Sequence, residues 1–132
     1  MLADMNSVCV CGSEKPFDKC CGRFLSGKQD AKTPEQLMRS RYSAYALGGH
    51  GEYLMKTWLP AMARNLTALE LNQKTLEWVA LEVIGKNQKG DEGEVEFRAS
   101  FINDQGDREV MHELSSFKRI NGLWYYVGGV VT

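Results

Sequence analysis

G-E-V-E-F-R-A-S-F-I-N, running from Gly93 to Asn103, is the stretch that decides the fold. Val95, Phe97, Ala99 and Phe101 fall on one face and Glu94, Glu96, Arg98 and Ser100 on the other. This period of two describes an antiparallel strand with one buried and one wet face. Upstream, Leu76 to Lys86 has the same character, and the polar, glycine-bearing segment Asn87 to Glu92 between them predicts a hairpin. Downstream, Asp104 to Asp107, with Gly106, turns into a third strand from Arg108 to Ile120. Asn121-Gly122 is a two-residue hairpin signal leading into a fourth, Leu123 to Val131. Four strands in succession make an antiparallel meander.

Before Leu76 the periodicity is helical. Thr33 suits an N-cap, Pro34 the first helical position, and Gln36 completes a capping box. The helix places Leu37, Met38, Tyr42 and Tyr45 on one stripe and stops at Gly48-Gly49. Arg41 projects into the same arc. A second helix, Glu52 to Leu59, carries Leu54, Met55 and Trp58 before Pro60. Thr67 and Glu70 form another capping box, with Leu66 and Leu71 as its hydrophobic staple, and open a short third helix from Ala68 to Gln73. Helices first and sheet after is an α+β pattern, three helices covering one face of a curved four-stranded sheet. That order resembles the cystatin-like, nuclear transport factor 2-like cone.

All four cysteines lie between Cys9 and Gly22, in C-V-C-G-S-E-K-P-F-D-K-C-C-G. Cys9, Cys11, Cys20 and Cys21 read as a closed, tetrahedral thiolate cage for one structural zinc ion. Gly12, Ser13 and Pro16 turn the loop back on itself, and Lys15, Lys19, Arg23 and Lys28 can offset its negative charge. Disulfides are a poor alternative, because one pairing would join adjacent residues and the others would brace a tiny loop. Free thiols are the second alternative. A polar linker, Ser26 to Lys32, follows. The division expected is a knuckle with a short N-terminal tail over residues 1–28 and the α+β domain over 29–132, the knuckle being an appendage too small for a core of its own.

The net charge of −1 argues against broad attraction to nucleic acid and leaves only a local basic face at Lys15, Lys19, Arg23 and Lys28. Met1 to Ser7 has no apolar signal-peptide core, and no apolar run is long enough to span a membrane. Reduced thiols are expected in the cytoplasm. Gly22 to Gln29 nearly matches a phosphate-binding loop, but Gln29 stands where the magnesium-binding hydroxyl belongs and no strand precedes it. Trp58, Trp78, Phe97, Phe101, Phe117 and Trp124 fall at helical or strand periods and are read as core.

The third strand supplies the remaining polar candidates. Glu113 shares a face with Ser115 and Phe117, so Glu113 faces the helices if Phe117 does. A buried carboxylate needs a cation, and Arg41 is the expected partner, with Tyr42 and Ser115 nearby. The pair either fixes helix to sheet or lines a pocket where Glu113 acts as acid or base beside Tyr42 or Tyr126. His112 should face away from Glu113, and His50 is a loop residue. No nucleophilic triad is visible.

Two resemblances rest on these residues. Cys9, Cys11, Gly12, Ser13, Lys19, Cys20, Cys21 and Gly22 look like the SEC-C motif, a zinc knuckle also found at the C-terminus of the preprotein translocase ATPase. Val10 departs from the usual proline. There the knuckle docks an export chaperone and the ribosome, which implies a protein partner of the ribosomal or export kind. With L-M-R-S-R-Y-S-A-Y at Leu37 to Tyr45, T-W at Thr57 and Trp58, H-E-L-S-S-F at His112 to Phe117 and W-Y-Y-V-G-G at Trp124 to Gly129, almost the whole chain resembles the YchJ-like family of small bacterial proteins. That resemblance implies a fold and carries little about function. The sequence points first to a zinc-binding docking module on a cone. Second stands an enzyme or small-molecule binder using a pocket in the cone, and third local RNA or ribosome binding through the basic knuckle. Catalysis is not required. A deep pocket with converging polar groups would favour the second, and a cone plugged by aromatic rings the first.

Overall fold

The computed structural model describes residues 7–132, so the N-terminal tail expected to lack a signal peptide lies largely outside the described residues. Helix α1, Cys21–Leu25, closes the cysteine loop. Helices α2, Pro34–Leu47, α3, Gly51–Lys56, and α4, Ala68–Leu71, precede strands β1, Glu77–Lys89, β2, Glu92–Ile102, β3, Arg108–Ile120, and β4, Leu123–Val131. The strands form one antiparallel sheet in the order β1-β2-β3-β4. An α+β meander is therefore present, with a fourth short helix inside the cysteine segment. Among the described residues, no helix is long and apolar enough to cross a membrane.

Helix α2 starts where its side chains dictate. Thr33 Oγ1 accepts from the Gln36 amide at 3.1 Å, while Gln36 Oε1 reaches past Thr33 to accept from the Lys32 amide at 2.8 Å. Gly48 ends the helix at φ 75°. α3 is shorter than predicted and stops at Lys56, because the chain beyond it is captured by β4. The Leu59 amide donates to Tyr126 O and the Tyr126 amide to Thr57 O, each at 2.8 Å. α4 is trimmed to one turn, its Thr67 cap made as expected and its end followed by Asn72, which accepts from the Gly51 amide. The first hairpin is tighter than its polar composition implied. β1 runs on to Lys89, paired with Glu92.

The alternation of β2 holds on the core side, where Val95, Phe97 and Ala99 are buried. Ser100 is the exception on the outer face, buried between Ala80 and Val110 of the flanking strands. Register shifts in β1 and between Ser116 and Phe117 bend the sheet over α2, as bulges do.

The cysteine loop is not an appendage. Its four cysteines and Phe24 belong to the same buried cluster as Leu37, Met38, Tyr42, Val95 and Phe117. Ser40, Ser43, Ala44 and Ala46, outside the expected apolar stripe of α2, are buried too. A helix covered on several sides needs small residues where other elements approach.

Candidate metal centre and cavity

The loop is shaped by its backbone before any metal is considered. Cys9 N donates to Lys15 O at 2.8 Å, Gly12 turns at φ 82°, and the 3-10 turn Phe17–Lys19 delivers Cys20 into helix α1. The four Sγ atoms thereby come within 4.8 Å of one another. A tetrahedron with zinc–sulfur bonds of about 2.3 Å has sulfurs about 3.8 Å apart, and Cys11 Sγ and Cys20 Sγ stand at 3.6 Å. No disulfide joins the cysteines. All four side chains are at most 6% exposed, so the donor set suits a closed site for a soft cation and leaves no room for substrate.

Groups around the cage complete it. Ser13 Oγ lies 3.1 Å from Cys20 Sγ, and Ser43 Oγ of α2 lies 3.8 Å from Cys9 Sγ. Arg39 Nη1 donates to Cys11 O at 2.7 Å. Arg23 Nε donates to Cys20 O, and its guanidinium stacks on Phe24. Lys15, Lys19 and Lys28 stand exposed at the rim. Among the thiols, hydrogen bonding from Cys21 and Cys9 holds Cys11 far below its ordinary value, and the same Cys11 bond raises Cys21. Arg39 and Ser43 belong to the site, and nothing in the cysteine spacing points to either.

The second feature is a cavity of about 270 Å³ between α2 and the concave face of the sheet. Arg41, Tyr42, Glu113 and Ser115 all line it, as do Tyr45 and Tyr126. The direct ion pair expected between Arg41 and Glu113 is not made. Arg41 is 5% exposed, and its Nη1 donates instead to Leu54 O at 2.8 Å and Thr57 Oγ1 at 2.7 Å. Its guanidinium lies over the rings of Trp58 and Tyr126, 4.7 and 4.6 Å from their centroids. The end of α3 thus supplies the acceptors that a carboxylate was expected to provide. Burial lowers the Arg41 pKa, opposed by the nearby tyrosines and by Glu113.

Glu113 is half-buried. Its Oε2 accepts short-range hydrogen bonds from Ser115 Oγ and, at 3.1 Å, from Tyr126 Oη. The carboxyl group lies against Gly129 of β4, where an added Cβ would fall 2.6 Å from Glu113 Cδ. Sequence reasoning passed over Gly129 as a seat, although a glycine inside a strand is a sign of close approach. Burial pushes the Tyr42 phenol up to about 12 and raises Tyr126 as well. Tyr42 meets Trp78 edge to face at 6.2 Å. His112 does face away from the cavity, toward Glu96, with Nε2 2.6 Å from Glu96 Oε2 and Nδ1 2.7 Å from Thr132 Oγ1. His50 sits at the N-cap of α3, its pKa lowered by burial.

Known proteins resemble both parts of the chain. A family model described as YchJ, middle NTF2-like domain, matches residues 33–129. The chain belongs to the YchJ-like family. A second model, the SEC-C motif, matches residues 5–23 and so covers the cysteine loop. YchJ-like relatives named UPF0225 protein include one from Chromobacterium violaceum, 41% identical over 95% of this chain and 93% of its own length. Another, from Photorhabdus laumondii, is 38% identical over 96% of this chain and 82% of its own. The solution structure of a SEC-C motif containing protein from Rhodopseudomonas palustris superposes with a TM-score of 0.86 at 37% identity, covering 94% of this chain and 98% of that one. A crystal structure of a SEC-C motif containing protein from Psychrobacter arcticus gives 0.82 at 30% identity, covering 97% and 84%.

Proposed function

We propose that this YchJ-like protein is a small-molecule-binding cone braced by a structural zinc knuckle. The cavity carries the proposal: its aromatic walls leave it open, and Arg41, Glu113, Ser115 and Tyr126 converge on it. Binding is preferred over catalysis. Beside Glu113 the titratable groups on the wall are phenols and the Arg41 guanidinium, and burial moves Tyr42 and Tyr126 further above neutral pH, away from the range a general base needs. Met111→Trp, which places an indole in the cavity, tests the idea. Saturation-transfer NMR with a library of small apolar fragments should find binders of the native protein that the variant loses. Equal signals from both folded proteins, or none from either, would count against binding in the cone.

Cys9, Cys11, Cys20 and Cys21 would hold one zinc ion, which neutralises charge and fixes the loop. Metal analysis of the reduced protein should return one zinc per chain, and Cys20→Ser should release it. Metal-free protein with the loop unchanged in its NMR spectrum would exclude the staple.

A second reading keeps the knuckle as a docking element for a cytoplasmic protein partner, ribosomal or export-related. It is favoured by the exposure of Val8 and Val10 beside Lys15 and Lys19 on the rim. Cross-linking from a photoreactive residue at position 10 should trap one defined partner, and the same rim residues reversed in charge should lose it. RNA contact at Lys15, Lys19, Arg23 and Lys28 would instead show binding that falls steeply with salt.

A further inference from the structure

The cavity wall specifies more than its size. Among its lining residues Arg41 is the only basic side chain and Glu113 the only acidic one. A ligand with one net charge would satisfy one of them and crowd the other in a poorly solvated space. Both also retain unused bonding capacity. Arg41 directs Nη1 at Leu54 O and Thr57 Oγ1, and beyond the neighbouring Tyr45 phenol its other N–H groups have no partner among the described residues. Glu113 takes both its donors on Oε2, leaving Oε1 without one among the described residues. The remaining wall is largely apolar, with Trp58, Trp78, Phe97 and Phe117 set among Met38, Leu76 and Met111. At about 270 Å³ the space is just below the usual range for ligand pockets, which suits a single ring with a short substituent.

We infer that the cavity takes a small, uncharged molecule with a flat apolar body, presenting a carbonyl-type acceptor to Arg41 and an N–H or O–H donor to Glu113. This rests on the proposal that the cavity is a binding site and names the chemistry of its ligand. Four similar-sized probes separate the two ideas when titrated into the full chain: benzamide, benzoate, benzylamine and toluene. The readout is the shift of the Trp58 and Trp78 indole N–H resonances.

Benzamide should shift both indoles saturably, with benzoate and benzylamine binding roughly tenfold more weakly, the cost of one buried group left unpaired, and toluene, which pairs neither group, more weakly still. Glu113→Gln should narrow the gap between benzamide and benzoate. Met111→Trp should abolish the benzamide shifts. Preferential binding of benzoate or benzylamine, or equal binding of toluene, overturns the ligand class and leaves the cavity as a binding site. Silence from all four probes removes both ideas. Shifts that survive Met111→Trp place the probe elsewhere and overturn the inference as well.

Discussion

Gly129 shows how much of the site depends on a side chain that is absent. Glu113 folds its carboxyl group into the space a Cβ would fill, and there it meets Ser115 and Tyr126. Its conformation needs no glycine for strain, since it is not among the positive-φ residues, so the requirement is one of space alone. Gly129→Ala should therefore expel the carboxyl group and break its two hydrogen bonds. We expect a loss of about 1–3 kcal/mol in urea unfolding, the usual cost of overpacking, with the midpoint moved at unchanged slope. A loss of only a few tenths would mean that the carboxyl group has another resting place. Arg41 and Glu113 make the complementary point. Because the guanidinium is held by α3 and two aromatic rings, a double-mutant cycle of Arg41→Met and Glu113→Gln should give a coupling energy under about 1 kcal/mol. A coupling of several kcal/mol would restore the direct ion pair.

At the scale of elements, α2 is the piece that joins the cysteine loop, α3 and the sheet. Its Arg39 and Ser43 meet the cysteine loop, its Arg41 and Tyr42 face the cavity, and its Glu35 reaches β1 through Lys86. The Glu35 carboxyl is held below its ordinary value of 4.5, first by the Lys86 hydrogen bond and then by Arg39. A depressed folded-state value means that its contribution is complete above about 4.5 and lost as pH falls through the lower value of the folded state. Wild type should accordingly lose stability faster than Glu35→Gln below pH 4.5, as read by thermal melts across that range. Parallel acid limbs would show that the α2–β1 tie contributes nothing. The ends of α2 were legible because Thr33, Pro34 and Gly48 act locally, and β3 and β4 because Asn121-Gly122 is a turn on its own. α3 was overextended because what stops it is β4, some seventy residues on, which captures the backbone at Thr57 and Leu59.

In the whole molecule the cysteine loop and the NTF2-like domain share one core, which the sequence could not disclose. Spacing identified the four thiols as a set, since their geometry is decided within thirteen residues. It was silent on Ser43 and Arg39, which reach the loop only once α2 has docked. The cavity was legible as a neighbourhood, with Arg41, Tyr42, Glu113 and Ser115 brought to one wall, but the partners of each were not. Those depend on where α3 ends and on a bulge between Ser116 and Phe117. The burial of the thiols also has a kinetic side. With every Sγ shielded, a chelator cannot add a ligand to an ion in the cage until the loop lifts from α2. Metal loss timed against rising chelator should reach a plateau, and that ceiling is the opening rate of the protein rather than a property of the chelator. A rate that keeps climbing in proportion to chelator would mean that the cage is attacked while closed. The interval over which such a protein survives metal scarcity would then be written in the packing between a short loop and one helix.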